Sequence, residues 1–206
     1  MNTLDIFKQI EKAPFEKGFL PSGEAVIDRR HQKVIEHVKP TGHILEVGPG
    51  IGKMAVYFAS KGRPYSMVDI DRSKLFTYYE HIGNEIKTPS HVFKEPWEWR
   101  LLPDDVYTTV IASEVIEHVS DYKWIVNEML RVAICNVILT TPVGKSFFSP
   151  EHLHFFKEED FDFIPYDYTI EKLYTKESDI ENEQQCFFIE ISKRSSHNGS
   201  LRLRSR

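Results

Sequence analysis

Cysteine is scarce in the sequence, so the disulfides that are typical of proteins in an oxidising compartment are not indicated. The chain has 206 residues and only two cysteines, Cys135 and Cys186, which both lie in apolar segments typical of strands. Two buried free thiols fit this placement better than a disulfide, and free thiols are typical of a reducing cytoplasm. We therefore expect a cytoplasmic protein. A chain of this length can bury a core without covalent cross-links.

Long hydrophobic runs are also missing. The longest apolar stretch, around Val132 to Leu139, contains Asn136. It is much shorter than the roughly 18 residues that a membrane-spanning helix needs. The N-terminus mixes acidic and basic residues and lacks the apolar segment of a secretory signal peptide. Neither a membrane span nor a signal peptide is expected.

Positive charge is not in excess, since 26 Lys and Arg residues face 31 Asp and Glu residues and give a formal net charge of −5. A broad nucleic-acid surface needs clustered basic residues, so the balance argues against a nucleic-acid partner. Apolar residues make up 41 % of the chain, an ordinary globular value. We predict one domain over residues 1–192, with an N-terminal helical cap at about 1–40. The Ser- and Arg-rich residues 193–206 are predicted to be a disordered tail.

Apolar periodicity predicts alternating strands and helices, which is typical of a doubly wound α/β sheet with parallel strands. The last two strands have a polar connection and are expected to form an antiparallel hairpin at the sheet edge. Ser22 and Asp71 are candidate helix N-caps. The predicted helices are Glu24–Val38, Lys53–Ser60, Arg72–Ile82, Glu114–Arg131 and Phe155–Phe163, and the predicted strands are His43–Val47, Tyr65–Asp69, Ser90–Phe93, Val106–Ala112, Ala133–Thr140, Tyr168–Tyr174 and Cys186–Ile191.

The segment ILEVGPGIGKM, residues 44–54, carries the strongest local signal. It places Glu46, Gly48, Gly50 and Gly52 between a strand and a helix, where glycines permit a tight turn and close approach of a ligand. A dinucleotide-binding fingerprint would have its third glycine at position 53, which is Lys53. S-adenosylmethionine has no pyrophosphate, so the G-x-G-x-G spacing with a leading acid suits that cofactor better. The alternative is a glycine-rich turn without a ligand.

Acidic residues follow the next two predicted strands. Asp69 lies about 20 residues beyond the first loop glycine, where an acid in such folds accepts hydrogen bonds from the ribose hydroxyls. Ile70 beside it is a further candidate for cofactor contact. Glu95 follows the third strand and could accept a bond from the adenine amino group, with Trp97 over the adenine face. The alternatives are that Asp69 caps the next helix, Glu95 is solvated and Trp97 belongs to the core.

ILEVGPGIG, YSMVDID and TTVIASEVIEHV, together with the later TTPVGKSFFSPEHLHFF, resemble class I S-adenosylmethionine-dependent methyltransferases of the ubiquinone-biosynthesis type. The resemblance covers residues 35 to 163 and implies a Rossmann-like seven-stranded sheet that is mostly parallel and ends in an antiparallel hairpin. It also implies that Glu46 and the Gly48 backbone lie near the methionine moiety, Asp69 at the ribose and Ser113 near the substrate mouth. One departure is Val106-Tyr107, where relatives often carry Phe-Asp.

Glu114, Glu117 and His118 would share one face if this segment were helical. Two carboxylates and an imidazole can ligate a divalent ion, and the resemblance to metal-dependent O-methyltransferases implies His152 as the fourth ligand. The alternative is an acidic pair favoured by the helix dipole, with His118 packed. Without a metal, His152 or His154 could be the general base, and His118 is the third candidate catalytic residue.

These patterns predict an O-methyltransferase that acts on a small-molecule or glycan-like acceptor, with S-adenosylmethionine and possibly a divalent metal ion as cofactors. Two alternatives stay open at this point. A nicotinamide-dependent oxidoreductase would use a similar sheet, but Lys53 and the missing Tyr-x-x-x-Lys pair disfavour it. A catalytically inactive cofactor-binding subunit would keep the same loop. The sequence does not indicate the oligomeric state.

Overall fold

The computed structural model of the chain describes residues 29–50, 52–70, 90–93, 95–146, 149–175 and 185–193. Within these residues the helices are α1 (Arg29–His37), α2 (Lys53–Ser60) and α3 (Tyr122–Val132), and short 3-10 helices cover Pro96–Leu101, Ile116–His118 and Glu158–Phe161. The strands are β1 (Ile44–Val47), β2 (Tyr65–Asp69), β3 (Ser90–Val92), β4 (Tyr107–Ser113), β5 (Ala133–Pro142), β6 (Asp167–Leu173) and β7 (Cys186–Ser192). Several predictions lie outside the described residues: helix Arg72–Ile82, the caps Ser22 and Asp71, most of the N-terminal cap and residues 194–206.

The seven strands form one sheet in the order β3-β2-β1-β4-β5-β7-β6. Strands β3, β2, β1, β4 and β5 pair in parallel, whereas β7 is antiparallel to both β5 and β6. This confirms the predicted Rossmann-like α/β sheet with its antiparallel C-terminal hairpin. The strand order reverses between β1 and β4, and in open α/β sheets ligands bind beyond the carboxyl ends of the strands at such a point.

Both faces of the sheet are covered, which explains the continuous apolar strands. All four residues of β1 are buried. Leu45 and Val47 belong to the core cluster that also contains residues of α3, whereas Ile44 packs in the cluster with residues of α1 and α2. Glu46 lies between Leu45 and Val47 in the strand and is only 3 % exposed. A carboxylate in this position needs partners, since burial of an unpaired charge is costly.

Asn136 interrupts the longest apolar run because it joins α1 to the sheet. It is fully buried. Its Oδ1 accepts a bond from the Thr109 hydroxyl at 2.8 Å, and its Nδ2 donates to Glu190 Oε1 at 2.9 Å and to the His37 carbonyl at 3.2 Å. His37 Nδ1 lies 2.7 Å from Glu190 Oε2. We call Thr109, Asn136, Glu190 and His37 the amino-edge network, because they lie toward the amino ends of β4 and β5.

The predicted helix Glu114–Arg131 is wrong over its first eight residues. The Glu114 N–H donates to the Thr140 carbonyl at 2.9 Å, which extends the β4 ladder, and the Glu114 backbone has a left-handed φ of 57°. The 3-10 helix Ile116–His118 follows. Helix α3 begins only after Asp121, whose side chain accepts a bond from the Trp124 N–H at 2.9 Å. Glu114 and Glu117 therefore do not share a helix face.

The predicted helix Phe155–Phe163 is also wrong. Phe156 forms a parallel β-bridge with Val143, and only Glu158–Phe161 turns as a 3-10 helix. Lys193 does not belong to a tail, because its N–H donates to the Cys135 carbonyl at 2.7 Å and its Nζ contacts Asp105 Oδ1 at 2.7 Å. Backbone and side chain thus attach this residue to the sheet.

Both thiols are free, as predicted, but only Cys186 is buried, whereas Cys135 is partly exposed. None of the helices that the structure describes combines the length and the apolar character of a membrane-spanning segment.

Candidate cofactor and acceptor site

The loop after β1 is a tight turn that depends on its glycines. Gly48, Gly50 and Gly52 have φ values of 63°, 55° and 80°, a region that glycine adopts without strain. The Gly48 N–H donates to the Val68 carbonyl at 2.9 Å and the Gly52 N–H to the Pro49 carbonyl at 2.8 Å. The predicted turn is therefore present, with α2 beginning directly after it at Lys53.

Glu46 is a buried carboxylate just before this loop. The Tyr65 hydroxyl donates to Glu46 Oε2 at 2.6 Å. Burial raises the pKa of Glu46 to about 7, the Tyr65 bond opposes that shift, and the negative charge of Asp69 adds to it. A cationic ligand group beside Glu46 would favour its ionised form.

Asp69 is the last residue of β2 and lies one residue beyond the pair formed by Val47 and Val68. It therefore reaches the same sheet edge as Gly48. Its carbonyl accepts a bond from the Phe93 N–H at 3.0 Å, which joins β2 to the end of β3. Ile70 follows and is 73 % exposed. The two predicted cofactor contacts, Asp69 at the end of β2 and Ile70 directly after it, thus lie at the carboxyl edge.

Glu95 is exposed and precedes the 3-10 helix Pro96–Leu101, and its N–H donates to Glu98 Oε2 at 2.7 Å. Trp97 is 62 % exposed, so the alternative that it belongs to the core is wrong. Trp99, in the same 3-10 helix, is only 5 % exposed and belongs to the core. Glu95 and Trp97 lie beyond β3 on the same side of the switch point as Asp69.

Ser113 ends β4, next to β1. Its hydroxyl lies 2.8 Å from the Thr140 hydroxyl on β5. Because Val47 pairs with Ala112, Ser113 lies at the level of Gly48 across the switch point. The structure therefore places Glu46, Gly48, Asp69 and Ser113 along one edge of three neighbouring strands.

Glu117, His118 and His152 form a second group, which we call the acceptor cluster. One ligand atom from each lies within 4.8 Å of the others. Glu117 is 1 % exposed. Its Oε2 accepts a bond from the Thr141 hydroxyl at 3.1 Å, whereas its Oε1 has no hydrogen-bond partner among the described residues and lies 4.0 Å from His118 Nε2. Burying a carboxylate oxygen without a hydrogen-bond partner costs folding free energy unless a ligand supplies the missing partner.

Electrostatics in the acceptor cluster follow from its burial. Burial raises the pKa of Glu117 to about 8, the Glu114 charge adds to that shift, and Arg30 opposes it. Burial and the neighbouring His118 lower the pKa of His152. The His118 and His152 ring centroids are 4.8 Å apart in an edge-to-face contact. His118 Nδ1 lies 3.1 Å from the Glu151 carbonyl, so Nδ1 donates the proton of that bond.

Two predicted residues lie outside this cluster. Glu114 Oε2 is 3.3 Å from Arg30 Nη1 on α1, and Glu114 is not in the group of three. His154 Nε2 donates to the Val119 carbonyl at 2.9 Å, and its ring stacks on Phe156 at 5.6 Å. Of the four predicted metal ligands, the structure brings together Glu117, His118 and His152.

Three partners of these groups were not predicted from the sequence: Tyr65, Thr141 and Arg30. Each acts from a different strand or helix than the residue it contacts. The sequence separations are long, and the residue types are common in cores and on surfaces. No local pattern could have indicated these contacts.

A doubly wound sheet with a glycine loop after β1 and an acid at the end of β2 is typical of Rossmann-like proteins that bind an adenosine-containing cofactor. Residues 22–162 match the family described as "Methyltransferase domain". The match covers more than half of the chain, so the chain belongs to this family and is a class I S-adenosylmethionine-dependent methyltransferase. The family decides against a nicotinamide-dependent oxidoreductase. No curated protein matches the chain in sequence.

Solved methyltransferase structures share the fold at low identity. A SAM-dependent methyltransferase from Archaeoglobus fulgidus has a TM-score of 0.64 at 17 % identity, covering 80 % of this chain and 91 % of that one. Magnesium protoporphyrin IX methyltransferase from Synechocystis PCC 6803, with bound SAH, has 0.61 at 15 %, covering 93 % and 94 %. Phosphoethanolamine N-methyltransferase 2 from Haemonchus contortus, in complex with S-adenosyl-L-methionine, has 0.64 at 16 %, covering 93 % and 57 %.

Proposed function

We propose that the protein transfers the methyl group of S-adenosylmethionine to a hydroxyl oxygen of a small-molecule or glycan-like acceptor. The observation that carries this proposal is the acceptor cluster, in which the buried Glu117 meets His118 and His152 just beyond the end of β4. The fold alone does not select oxygen, since an N-methyltransferase has the same fold. Two free thiols support a reducing, cytoplasmic location.

The cofactor is proposed to lie along the carboxyl edge of β1, β2 and β3. Glu46 and the backbone of Gly48, Gly50 and Gly52 would hold its methionine end. Further along the edge we assign Asp69 to the ribose and Ile70 and Glu95 to the adenine, in the order of the strands from β1 outward. Ser113 lies on β4, across the switch point, and we assign it to the mouth toward the acceptor.

Histidines suit a hydroxyl acceptor because a hydroxyl must lose its proton as the oxygen attacks. Imidazole is the side chain best placed to take a proton near neutral pH. His152 is partly exposed and its ring contacts that of His118, so it lies at the rim of the cluster. We assign the general base to His152, with His118 as its neighbour. His154 is a weaker candidate, since its Nε2 is bonded to a backbone carbonyl. Alignment of oxygen, methyl and sulfur would supply much of the remaining rate.

That role of His152 applies if no metal is bound; as the alternative, the same three residues fit a divalent metal ion. Glu117 Oε1 is buried and lacks a hydrogen-bond partner in the described parts of the chain. The bond from His118 Nδ1 to a carbonyl orients Nε2 as a ligand. One carboxylate and two imidazoles suit Zn²⁺, Mn²⁺ or Fe²⁺ better than Mg²⁺. A bound ion would supply Lewis-acid chemistry, which lowers the pKa of a nearby hydroxyl.

Acceptor chemistry is tested with methyl-labelled S-adenosylmethionine and three probes: catechol, methyl glucoside and 1,2-diaminobenzene. We expect label on a hydroxyl oxygen of the first two, located by mass spectrometry. His152→Ala should lower kcat by roughly 10²–10⁴-fold without weakening cofactor binding. The control His43→Gln changes a histidine bonded to Ser66 near the start of β1 and should keep the activity. Label only on nitrogen or carbon would overturn the proposal.

Metal binding is tested by calorimetry with Zn²⁺ and Mn²⁺ on a matched pair of variants. Glu117→Gln should abolish binding, whereas Glu114→Gln should preserve it, because Glu114 is held beside Arg30. Equal loss in both variants would return Glu114 to the ligand set. If the unaltered protein binds neither ion, the metal proposal is wrong and the cluster acts through its histidines alone.

A further inference from the structure

Tyr65 and Glu46 form a buried polar pair beneath the cofactor loop. Tyr65 pairs with Ile44 in the sheet, yet its hydroxyl reaches Glu46 Oε2, two residues further along β1, at 2.6 Å. The phenol ring therefore runs along the sheet toward its carboxyl edge. Tyr65 is 4 % exposed and Glu46 is 3 % exposed, so water competes little for this bond.

Packing alone does not account for the hydroxyl of Tyr65. The ring stacks on Phe58 with centroids 5.5 Å apart and planes at 22°, inside the apolar cluster under α1 and α2. A phenylalanine would fill the same space and would leave no polar atom to satisfy. A carboxylate is likewise an expensive core residue. The pair lies just before Gly48, at the strand end where this sheet class binds its ligand.

We infer that Tyr65 is a positioning residue for the cofactor, which holds Glu46 Oε2 so that the carboxylate receives the ammonium group of the methionine moiety. The inference rests on the proposed contact between Glu46 and the methionine end. Asp69, on the same strand as Tyr65, is the other titratable group that acts on this carboxyl, and its charge opposes ionisation. The Tyr65 hydrogen bond favours ionisation and so keeps Glu46 ready for a cation.

The test compares two ligands on the full chain by calorimetry. S-adenosylhomocysteine carries the amino-acid group, whereas 5′-methylthioadenosine keeps the adenosine and the thioether without it. Tyr65→Phe should weaken S-adenosylhomocysteine roughly tenfold at pH 7 and leave methylthioadenosine within about twofold. The control Phe58→Leu disturbs the ring stack without touching the hydroxyl, and it should not discriminate between the ligands.

The pH dependence gives a second readout. Glu46 must be ionised to attract the ammonium group, and its pKa is about 7. Affinity for S-adenosylhomocysteine should fall as the pH drops through this value. Loss of the Tyr65 bond raises that pKa further, so in Tyr65→Phe the fall should begin at higher pH. A purely structural role would leave this midpoint unchanged.

Each failure has its own signature. Equal weakening of both ligands in Tyr65→Phe, or an unshifted pH midpoint, overturns the positioning role. Unchanged affinity for S-adenosylhomocysteine in Glu46→Gln removes the methionine contact and the inference with it. If the unaltered protein binds neither ligand, the proposed cofactor placement is itself wrong.

Discussion

Gly48 and Gly50 have the same left-handed backbone but different surroundings. A Cβ on Gly48 would lie 2.6 Å from Val115 Cγ2, whereas a Cβ on Gly50 would meet no described atom within 4 Å. Gly48 is thus required by the close approach of the segment after β4. No described side chain restricts Gly50 in this way.

This difference gives a prediction for two alanine variants. A left-handed alanine costs about 1–2 kcal/mol, which is the whole expected loss of unfolding free energy for Gly50→Ala. Gly48→Ala should lose about 1–3 kcal/mol more, because the new methyl group overpacks against Val115. Denaturant unfolding measures both values. Equal destabilisation would mean that Val115 moves aside freely.

At the scale of elements, helix α1 contacts residues at both the carboxyl ends and the amino ends of the sheet strands. Arg30 near its start contacts Glu114 at the end of β4, and His37 at its end belongs to the amino-edge network. Between them, Val34 is fully buried and packs in the cluster that contains Ile44. The helix therefore packs against the sheet through Val34, and polar contacts hold both of its ends.

The amino-edge network predicts a pH-dependent stability. Burial alone would raise the pKa of Glu190, but the bonds from His37 and Asn136 and the charge of Lys39 bring it below its ordinary value. A lowered pKa stabilises the fold above the unfolded-state pKa, and this contribution disappears as the pH falls through the folded-state pKa. Glu190→Gln should cost about 1–3 kcal/mol at pH 7, and the difference from the unaltered protein should shrink in acid.

The matched control is Glu171→Gln on the neighbouring strand β6. Glu171 is half-exposed and pairs with Lys33 at 2.9 Å, so its loss should cost less than about 1 kcal/mol at any pH. Urea unfolding between pH 3 and pH 8 measures both variants. A Glu190→Gln cost that does not vary with pH would contradict the linkage.

Elements with a continuous apolar run could be predicted from the sequence. Strands β1, β2 and β7 differ from their predicted bounds by at most one residue at either end. The segment from Glu114 to Ser120 could not, because its shape depends on the tertiary contacts of Glu114 with Thr140 and Arg30. A polar pattern that would suit a helix face carries no information about such contacts.

The metal site was predicted from a helix that does not form, yet three of its four predicted ligands meet. These residues meet because of a backbone contact and not because of a shared helix face. The Leu153 N–H donates to the Glu117 carbonyl at 2.8 Å, which brings the segment after β5 next to the segment after β4. That both strands end at the same edge was predictable from the parallel sheet.

At the scale of the whole molecule, the proposed site is assembled from segments that are distant in sequence. In the proposed site, the carboxyl ends of β1, β2 and β3 would hold the cofactor, and the acceptor cluster adds the segments after β4 and β5. These strand ends lie close together only in the folded state. A ligand that contacts all of them therefore binds the folded state and not the unfolded chain. Binding of the cofactor should therefore stabilise the entire fold.

Thermal unfolding should measure this stabilisation. A ligand that binds only the folded state, at a free concentration about 100 times its Kd, stabilises it by about 2.7 kcal/mol. For a domain of this size the Tm should rise by about 5–10 °C. S-adenosylhomocysteine should produce this shift, and NAD at the same concentration should produce none. The family and the position of Lys53 both point to this difference.

Asp69→Ala separates the ribose contact from general effects on stability. Loss of the carboxylate would leave the ribose hydroxyls without their acceptor, so the affinity should fall roughly tenfold or more. The S-adenosylhomocysteine shift in Tm should then shrink at equal ligand concentration. Glu159→Ala, which removes an exposed carboxylate on the last 3-10 helix, should keep the full shift. An undiminished shift in Asp69→Ala would place the ribose contact elsewhere, and a shift with NAD alone would contradict the proposed cofactor site as a whole.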